Sequence, residues 1–107
     1  MSLAVLYSTF PSLEAAEPAA RALVEERLVA CVNLVPGVVS IYRWEGAVQR
    51  ESEVVLIAKT TESRVEAAVL RLQALHPYQT PCVTWGPLAG ALPAFARWVE
   101  GEIGDSP

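Results

Sequence analysis

His76 is the only histidine among the 107 residues of this chain, and histidine is the side chain whose unperturbed pKa lies near neutrality. A lone histidine of this kind has three possible roles: a structural role at a helix end, contact with a metal ion, or proton transfer in acid–base catalysis. No cysteine or carboxylate stands beside it at the spacing of a metal site. We therefore favour the structural role and keep the other two open.

The remaining chemically active side chains are few. Cys31 and Cys82 are the only cysteines, and they are too far apart in sequence for a structural zinc site or a disulfide framework. Lys59, the only lysine, could bind an anion, although we favour a strand-end lysine that extends its amine into water. No nucleophile–base pair, phosphate-binding loop or metal-ligand spacing is present, so nothing in the sequence supports an enzyme.

Composition limits the possible partners. The net charge is −4 and the arginines are scattered without a basic stripe, which argues against nucleic acid. No apolar run approaches the ~20 residues that cross a bilayer, and the first ten residues, MSLAVLYSTF, lack the features of a signal peptide. We therefore expect a cytoplasmic protein with no membrane partner. A preference for arginine over lysine, seen in some thermophilic families, points to a thermostable protein.

The element that must position any site is the stretch 31–61. Two apolar, β-branched runs flank Glu45-Gly46, which predicts a β-hairpin. Each arm has about 13 residues and would reach ~40 Å, whereas a compact domain of this length is only ~33 Å across. The arms must bend at Pro36-Gly37 or project beyond the domain. The apolar tip of the hairpin is expected to pack on another copy of the chain through Ile41, Tyr42, Trp44 and Val48.

Two strands and three helices are predicted around this hairpin. The strands are 3–10 and 80–86. Ser12 caps the first helix, in which Pro18 either bends the axis or begins the regular part. A capping box, Ser63 to Glu66, starts the second helix and Pro77 ends it. Pro93 opens the third, whose predicted inward residues are Phe95, Trp98, Val99 and Ile103.

This order, β-α-β-β-α-β with an added C-terminal helix, predicts one α+β domain over residues 1–107. Its antiparallel sheet has four strands, with both crossover helices on one face. The other face needs a cover, and a symmetric partner would supply it. Cys31 and Cys82 fall on opposite edges, about 14 Å apart, so both should be free thiols. One end of the sheet should collect Ser8, Thr9, Tyr42, Trp44, His76 and Tyr78.

Three segments of the chain resemble the CutA family of divalent-cation tolerance proteins. They are LVEERLVACVNLVPGVVSIYRWEG, SEVVLIAKT and LHPYQTPCV, and the similarity runs from Leu6 to about Val99. The resemblance implies a ferredoxin-like fold, a tight homotrimer, a bacterial cytoplasmic protein and a role in tolerance to copper and other divalent metals. It implies no defined reaction.

The chain departs from the family at positions that matter for metal binding. Some bacterial relatives have a cysteine at the position of Ser8 and a histidine at that of Leu75, and many have an acidic residue at that of Cys82. Of this grouping only His76 carries over, although Cys82 could act as a thiolate ligand instead. The resemblance therefore implies no required cofactor and at most a weak copper or other divalent-cation site at His76.

Three functions stay open. The first is a non-catalytic tolerance trimer that binds copper or a similar ion weakly near His76. The second is a signalling trimer, comparable in architecture to the nitrogen-regulatory PII proteins, with a small ligand in the cleft between subunits. The third is a rigid trimeric platform for protein partners. In the second function, Tyr78 and Trp44 would stack on the ligand, although packing within the protein is the simpler role for both. The candidate residues of the cleft are Ser8, Tyr42, Trp44, His76 and Tyr78.

Overall fold

A computed structural model describes residues 2–103 as one four-stranded antiparallel sheet with three helices. The sheet has the order β2-β3-β1-β4, so the first and third strands are central and the predicted topology is confirmed. The elements along the chain are β1 (Leu3–Phe10), α1 (Leu13–Glu25), β2 (Cys31–Trp44), β3 (Ala47–Thr61), α2 (Val65–Leu75), β4 (Val83–Pro87) and α3 (Pro93–Glu102). Within this part of the chain no helix is long and apolar enough to cross a membrane.

The main core lies between the sheet and the two crossover helices. Leu6 of β1 and Leu56 of β3 lie on the same face of the sheet. Both are fully buried against Leu23 of α1 and Leu72 of α2. Burying each such side chain contributes about 1.5–3 kcal/mol relative to leaving it in water. Both crossover helices therefore cover the same face of the sheet, as the chain order predicts.

Ser12 caps α1 as predicted, whereas the starts of α2 and β4 differ from the predictions. The Ser12 hydroxyl accepts a hydrogen bond from the Ala15 N–H at 3.2 Å, so α1 begins there and continues through Pro18. The capping box does not start α2, because the cap residue is Arg64 and the Ser63 hydroxyl lies 3.0 Å from that of Thr61. β4 begins three residues later than predicted.

The late start of β4 has a local cause. Pro81 has no N–H to offer a ladder, which disfavours regular pairing at this position. The neighbouring Cys82 carbonyl accepts its hydrogen bond from the Ser8 side chain, at 2.7 Å, and regular pairing starts with Ser8 and Val83. Residues 76–82 therefore form a loop that is tied to the end of β1.

The third helix covers a small part of the other face. Val99 and Ile103 are buried together with Leu3, whose side chain alternates with Leu6 and so lies on the face away from α1. Phe95 and Trp98 were also predicted to face inward, and that was wrong, since they are 37% and 46% exposed. The sheet offers α3 only this short patch, which two helix positions are enough to cover.

The hairpin both bends and projects. Glu45 and Gly46 have φ values of 50° and 82°, which make the tight two-residue turn that the sequence predicts. The register between β2 and β3 shifts by one residue between Val35 and Val38, at the predicted Pro36-Gly37 bend. The molecule measures 47 Å along its longest axis against 25 and 21 Å across, so the arms also extend beyond the domain.

Candidate functional site

A cavity of about 340 Å³ opens between the loop 76–82 and the inner face of the hairpin. The inner face is the one that carries Tyr42, Trp44, Glu51 and Glu53. The cavity has a volume in the range of small-molecule sites. It lies at the end of the sheet where the chain order predicts that the candidate residues meet. The residues that line it are Thr9, Tyr42, Trp44, Glu51, Glu53, Tyr78, Gln79, Thr80 and Cys82.

The bulge in β2 decides which side chains reach this cavity. Before it, Val35 pairs with Val55, so odd-numbered residues of both strands share the face away from α1 and α2. After it, Tyr42 pairs with Gln49, so even-numbered residues of β2 share that face with odd-numbered residues of β3. This one-residue shift brings the aromatic tip onto the same face as Glu51 and Glu53.

His76 fastens the loop to β1. Its Nε2 lies 2.8 Å from the Thr9 carbonyl oxygen, and its Nδ1 accepts a hydrogen bond from the Tyr78 N–H at 3.1 Å. Because a carbonyl only accepts, Nε2 carries the proton and the ring is neutral. The ring stacks on Phe10 with centroids 4.1 Å apart, and desolvation there lowers the pKa of His76.

Tyr78 and Glu53 join the loop to the hairpin. The Tyr78 hydroxyl donates a hydrogen bond to Glu53 Oε2 across 3.0 Å, and only 8% of Glu53 is exposed. Burial, and then the hydrogen bond to Glu53 and its charge, raise the pKa of Tyr78 to about 12. Burial together with the charges of Glu51 and Glu53 also raises the pKa of Tyr42. Both phenols therefore remain protonated donors at neutral pH.

The predicted cleft residues divide into two groups. Tyr42, Trp44 and Tyr78 line the cavity. Ser8 and His76 are buried behind it, where their side chains bond to backbone atoms. The structure thus brings the predicted residues into one neighbourhood, and any effect of Ser8 or His76 on a ligand would act through the position of the loop.

Sequence reasoning missed the acidic side of the cavity. Glu51 and Glu53 were not named as cleft residues, whereas both line the cavity and Glu53 is buried. The available signal was their spacing of two residues, which puts both on one face of a strand. Thr9, which the topology did place nearby, was not named as a ligand-cleft residue, and neither were Gln79 and Thr80.

The cysteines are separate free thiols, as predicted. Cys31 begins the edge strand β2, and Cys82 directly precedes β4 on the opposite edge. Cys82 is exposed and lines the cavity, but both ring nitrogens of His76 are already hydrogen-bonded. Across residues 2–103, no group of three or more histidine, cysteine, aspartate or glutamate side chains is arranged to hold a metal ion.

The fold and the cavity define a class of α+β protein in which a long hairpin, a β-α-β-β-α-β sheet and a ligand-sized cleft occur together. The profile of the family described as CutA1 divalent ion tolerance protein matches residues 4–102, nearly the whole chain. The chain belongs to this family, and the resemblance seen in the sequence is confirmed. The family is described as a tolerance protein and not as an enzyme.

Individual relatives agree with this membership. The chain is 44% identical over 100 residues to the divalent-cation tolerance protein CutA of Thermus thermophilus, covering 94% of this chain and 97% of that protein. It is 42% identical to the chloroplastic protein CutA of Arabidopsis thaliana, of which it covers 54%. The crystal structure of CutA from Xylella fastidiosa superposes with a TM-score of 0.93 at 42% identity, over 96% of this chain and 99% of that one.

Proposed function

We propose that this protein serves divalent-cation tolerance as a non-catalytic homotrimer, and that its direct binding of copper or another divalent ion is weak. The observation that carries the proposal is the bonding of His76. Nδ1 can bind a metal ion only if its hydrogen bond from the Tyr78 N–H breaks. Nε2 can do so only if it loses its proton and its hydrogen bond to the Thr9 carbonyl breaks. Leaving such a buried group unpaired costs about 1–3 kcal/mol. Each 1.4 kcal/mol weakens binding about tenfold.

Calorimetric titration with Cu²⁺ and Zn²⁺ tests the metal part of this proposal. We expect dissociation constants well above the micromolar range, with binding reduced in His76→Gln. Cys82→Ser tests whether the thiolate contributes. Cys31→Ser, at the opposite edge of the sheet, is the matched control. Sub-micromolar affinity that is unchanged in His76→Gln would show that the ion binds elsewhere and tightly.

Tolerance itself needs a cellular measurement. Expression of the chain in a copper-sensitive bacterium that lacks its own family member should restore growth in copper. His76→Gln should restore growth as well as the wild type does if tolerance does not depend on binding the ion. A requirement for tight metal binding by the chain would contradict the proposal.

The homotrimer is supported by uncovered apolar surface. Ile41 is 70% exposed and Val48 64% exposed at the hairpin tip. Tyr7 and Val35, at 38% and 43%, lie on the sheet face away from α1 and α2. A second copy would remove this surface from water, and the family resemblance implies three copies. Sedimentation should give three times the 11.5 kDa of one chain.

The cavity favours a second candidate function, a signalling trimer that binds a small ligand. The observation behind it is the combination of a 340 Å³ space with aromatic and carboxylate side chains. A thermal-shift screen of small metabolites tests it, since a ligand that binds only the folded state raises the melting temperature. If no compound does so, the rigid platform for protein partners becomes the better alternative.

The cytoplasm is the compartment that we propose. Both cysteines are free, which suits a reducing environment. Fractionation of cells that express the chain, followed by detection of reduced thiols, tests this assignment.

A further inference from the structure

The wall of the cavity has an unusual chemical composition. Three aromatic side chains, Tyr42, Trp44 and Tyr78, face it together with the carboxylates of Glu51 and Glu53. Among the residues that line it there is no lysine, arginine or histidine. Aromatic rings attract cations through the negative faces of their π systems, and carboxylates add a full negative charge. An anionic ligand would meet this charge without a basic partner, so the cavity is suited to a cation.

We propose that the cavity binds a small organic ammonium ion, with the charged nitrogen between the aromatic rings and the carboxylates of Glu51 and Glu53. The proposal rests on the second candidate function above, ligand binding in the cleft, and names the class of ligand. A hard metal ion fits less well, because it requires six or more oxygen ligands, whereas much of this wall is aromatic. The alkyl groups of an ammonium ion would contact those rings.

Glu53 supplies the second line of evidence. It is a carboxylate with only 8% exposure on the cavity wall, and the group that holds it is the neutral phenol of Tyr78. A buried carboxylate is costly without a positive charge nearby, and a bound ammonium ion would offset that cost. Beyond the larger effect of burial, the two glutamates raise the pKa of the Tyr42 and Tyr78 phenols, which indicates a negative potential in the same space.

The site is compatible with assembly. Tyr42 pairs with Gln49 and Trp44 with Ala47, whereas Ile41 pairs with Arg50 and Val48 with Arg43. Because side chains alternate along a strand, Ile41 and Val48 lie on the face of the hairpin away from Tyr42 and Trp44. The aromatic face of the hairpin continues the sheet face of Val35, which a second copy would cover lower down, so in the trimer the cavity becomes a cleft beside the neighbouring subunit. This is where the second candidate function places its ligand.

Calorimetry with matched charged and neutral probes tests the proposal on the intact chain. The probes are choline and tetramethylammonium, and the neutral comparison is 3,3-dimethyl-1-butanol, which has the shape of choline without its charge. Sodium chloride is adjusted to constant ionic strength. We expect choline to bind at least about tenfold more tightly than the neutral alcohol. Equal binding of the two, or no binding of either ammonium ion at millimolar concentration, would overturn the proposal.

Variants locate the binding. Glu51→Gln should weaken choline about tenfold, and Trp44→Leu by at least as much, with far-ultraviolet circular dichroism confirming that each variant folds. Glu17→Gln, which removes an exposed carboxylate on α1, is the matched control and should bind as the wild type does. Unchanged affinity in both cavity variants would place the ammonium ion elsewhere.

Cys82 provides an independent reporter. It lines the cavity and is exposed, whereas Cys31 lies on the opposite edge of the sheet. Saturating tetramethylammonium should slow the reaction of Cys82 with iodoacetamide several-fold and leave that of Cys31 unchanged. Equal rates at Cys82 with and without the ion would contradict binding in the cavity. A ligand of another class that raises the melting temperature would preserve the signalling function and overturn only the ammonium assignment.

Discussion

The Tyr78 hydroxyl donates a hydrogen bond to Glu53 Oε2 across 3.0 Å, which joins the loop after α2 to the long hairpin. Two further bonds hold the same loop to β1, one between His76 and the Thr9 carbonyl and one from Ser8 to the Cys82 carbonyl. The loop wall of the cavity is thus attached to both central strands. These three contacts hold the loop beside β1 and the hairpin.

Removing the Tyr78 hydroxyl should destabilise the fold. Tyr78→Phe leaves Glu53 without this donor, and we expect a loss of about 1–2 kcal/mol in the free energy of unfolding. Glu53→Gln should cost less, because its amide oxygen still accepts the bond. Urea denaturation at fixed protein concentration measures both, and the double variant gives their coupling. Tyr7→Phe, at an exposed tyrosine of β1, is the control; an equal effect there would mean that the contact is not stabilising.

The bulge at Pro36-Gly37 gives a second prediction. Gly37 has a φ of 76°, and a Cβ added there would contact nothing within 4 Å, so the cost of Gly37→Ala is one of backbone strain alone. We expect a loss of about 1 kcal/mol. Gly90→Ala is the matched control, since it also has open space but no positive φ. If both variants unfold at the same urea concentration, the bulge is not strained by a side chain.

Much of the fold followed from the sequence, because hydrophobic period and chain order are local signals. The order of strands, the hairpin turn and its bend are examples. The acidic wall of the cavity did not follow, since Glu53 reads as solvent-facing until the register is known. Without the one-residue shift at Gly37, Ile41 and not Tyr42 would lie on the face of Glu53. Trp98 was mispredicted for a different reason. The apolar stripe of α3 could be read from the sequence, but the small area of sheet that this helix covers could not.

The neutral state of His76 predicts a specific dependence of stability on pH. Desolvation lowers its pKa below the ordinary 6.5, against smaller opposing effects of the Thr9 carbonyl and Glu53. In the unfolded chain the ring takes up a proton near pH 6.5, whereas in the folded chain it does so only at lower pH. The contribution of His76 to the free energy of unfolding is therefore complete above about pH 6.5, and it is lost as the pH falls toward the lower pKa of the folded chain.

Chemical denaturation at about pH 7.5 and about pH 5.5 checks this dependence. The wild type should lose more unfolding free energy between the two values than His76→Gln, which has no ring to titrate. The comparison uses the difference between pH values, so a lower absolute stability of the variant does not affect it. An identical loss in both proteins would mean that the ring is equally protonated in the folded and unfolded chains.

The last prediction concerns assembly and uses the two faces of the hairpin tip. The sequence predicts Ile41, Tyr42, Trp44 and Val48 as interface residues, and the structure places Tyr42 and Trp44 on the cavity face of the hairpin and Ile41 and Val48 on the opposite face. Ile41, at 70% exposure on the outer face, is the most exposed of these four side chains, which favours it as the contact with a neighbour. Its full burial would contribute about 1.5–3 kcal/mol per copy.

Ile41→Ser should therefore dissociate the trimer at higher protein concentration than Trp44→Leu does, with little change in the secondary structure of the subunit. Sedimentation through a dilution series to nanomolar concentration measures assembly, and far-ultraviolet circular dichroism measures the subunit. Leu70→Ser is the matched control, because Leu70 is 68% exposed on α2, away from the hairpin. If Ile41→Ser stays assembled at every dilution at which the wild type does, the outer face of the tip is not the contact that holds the subunits together.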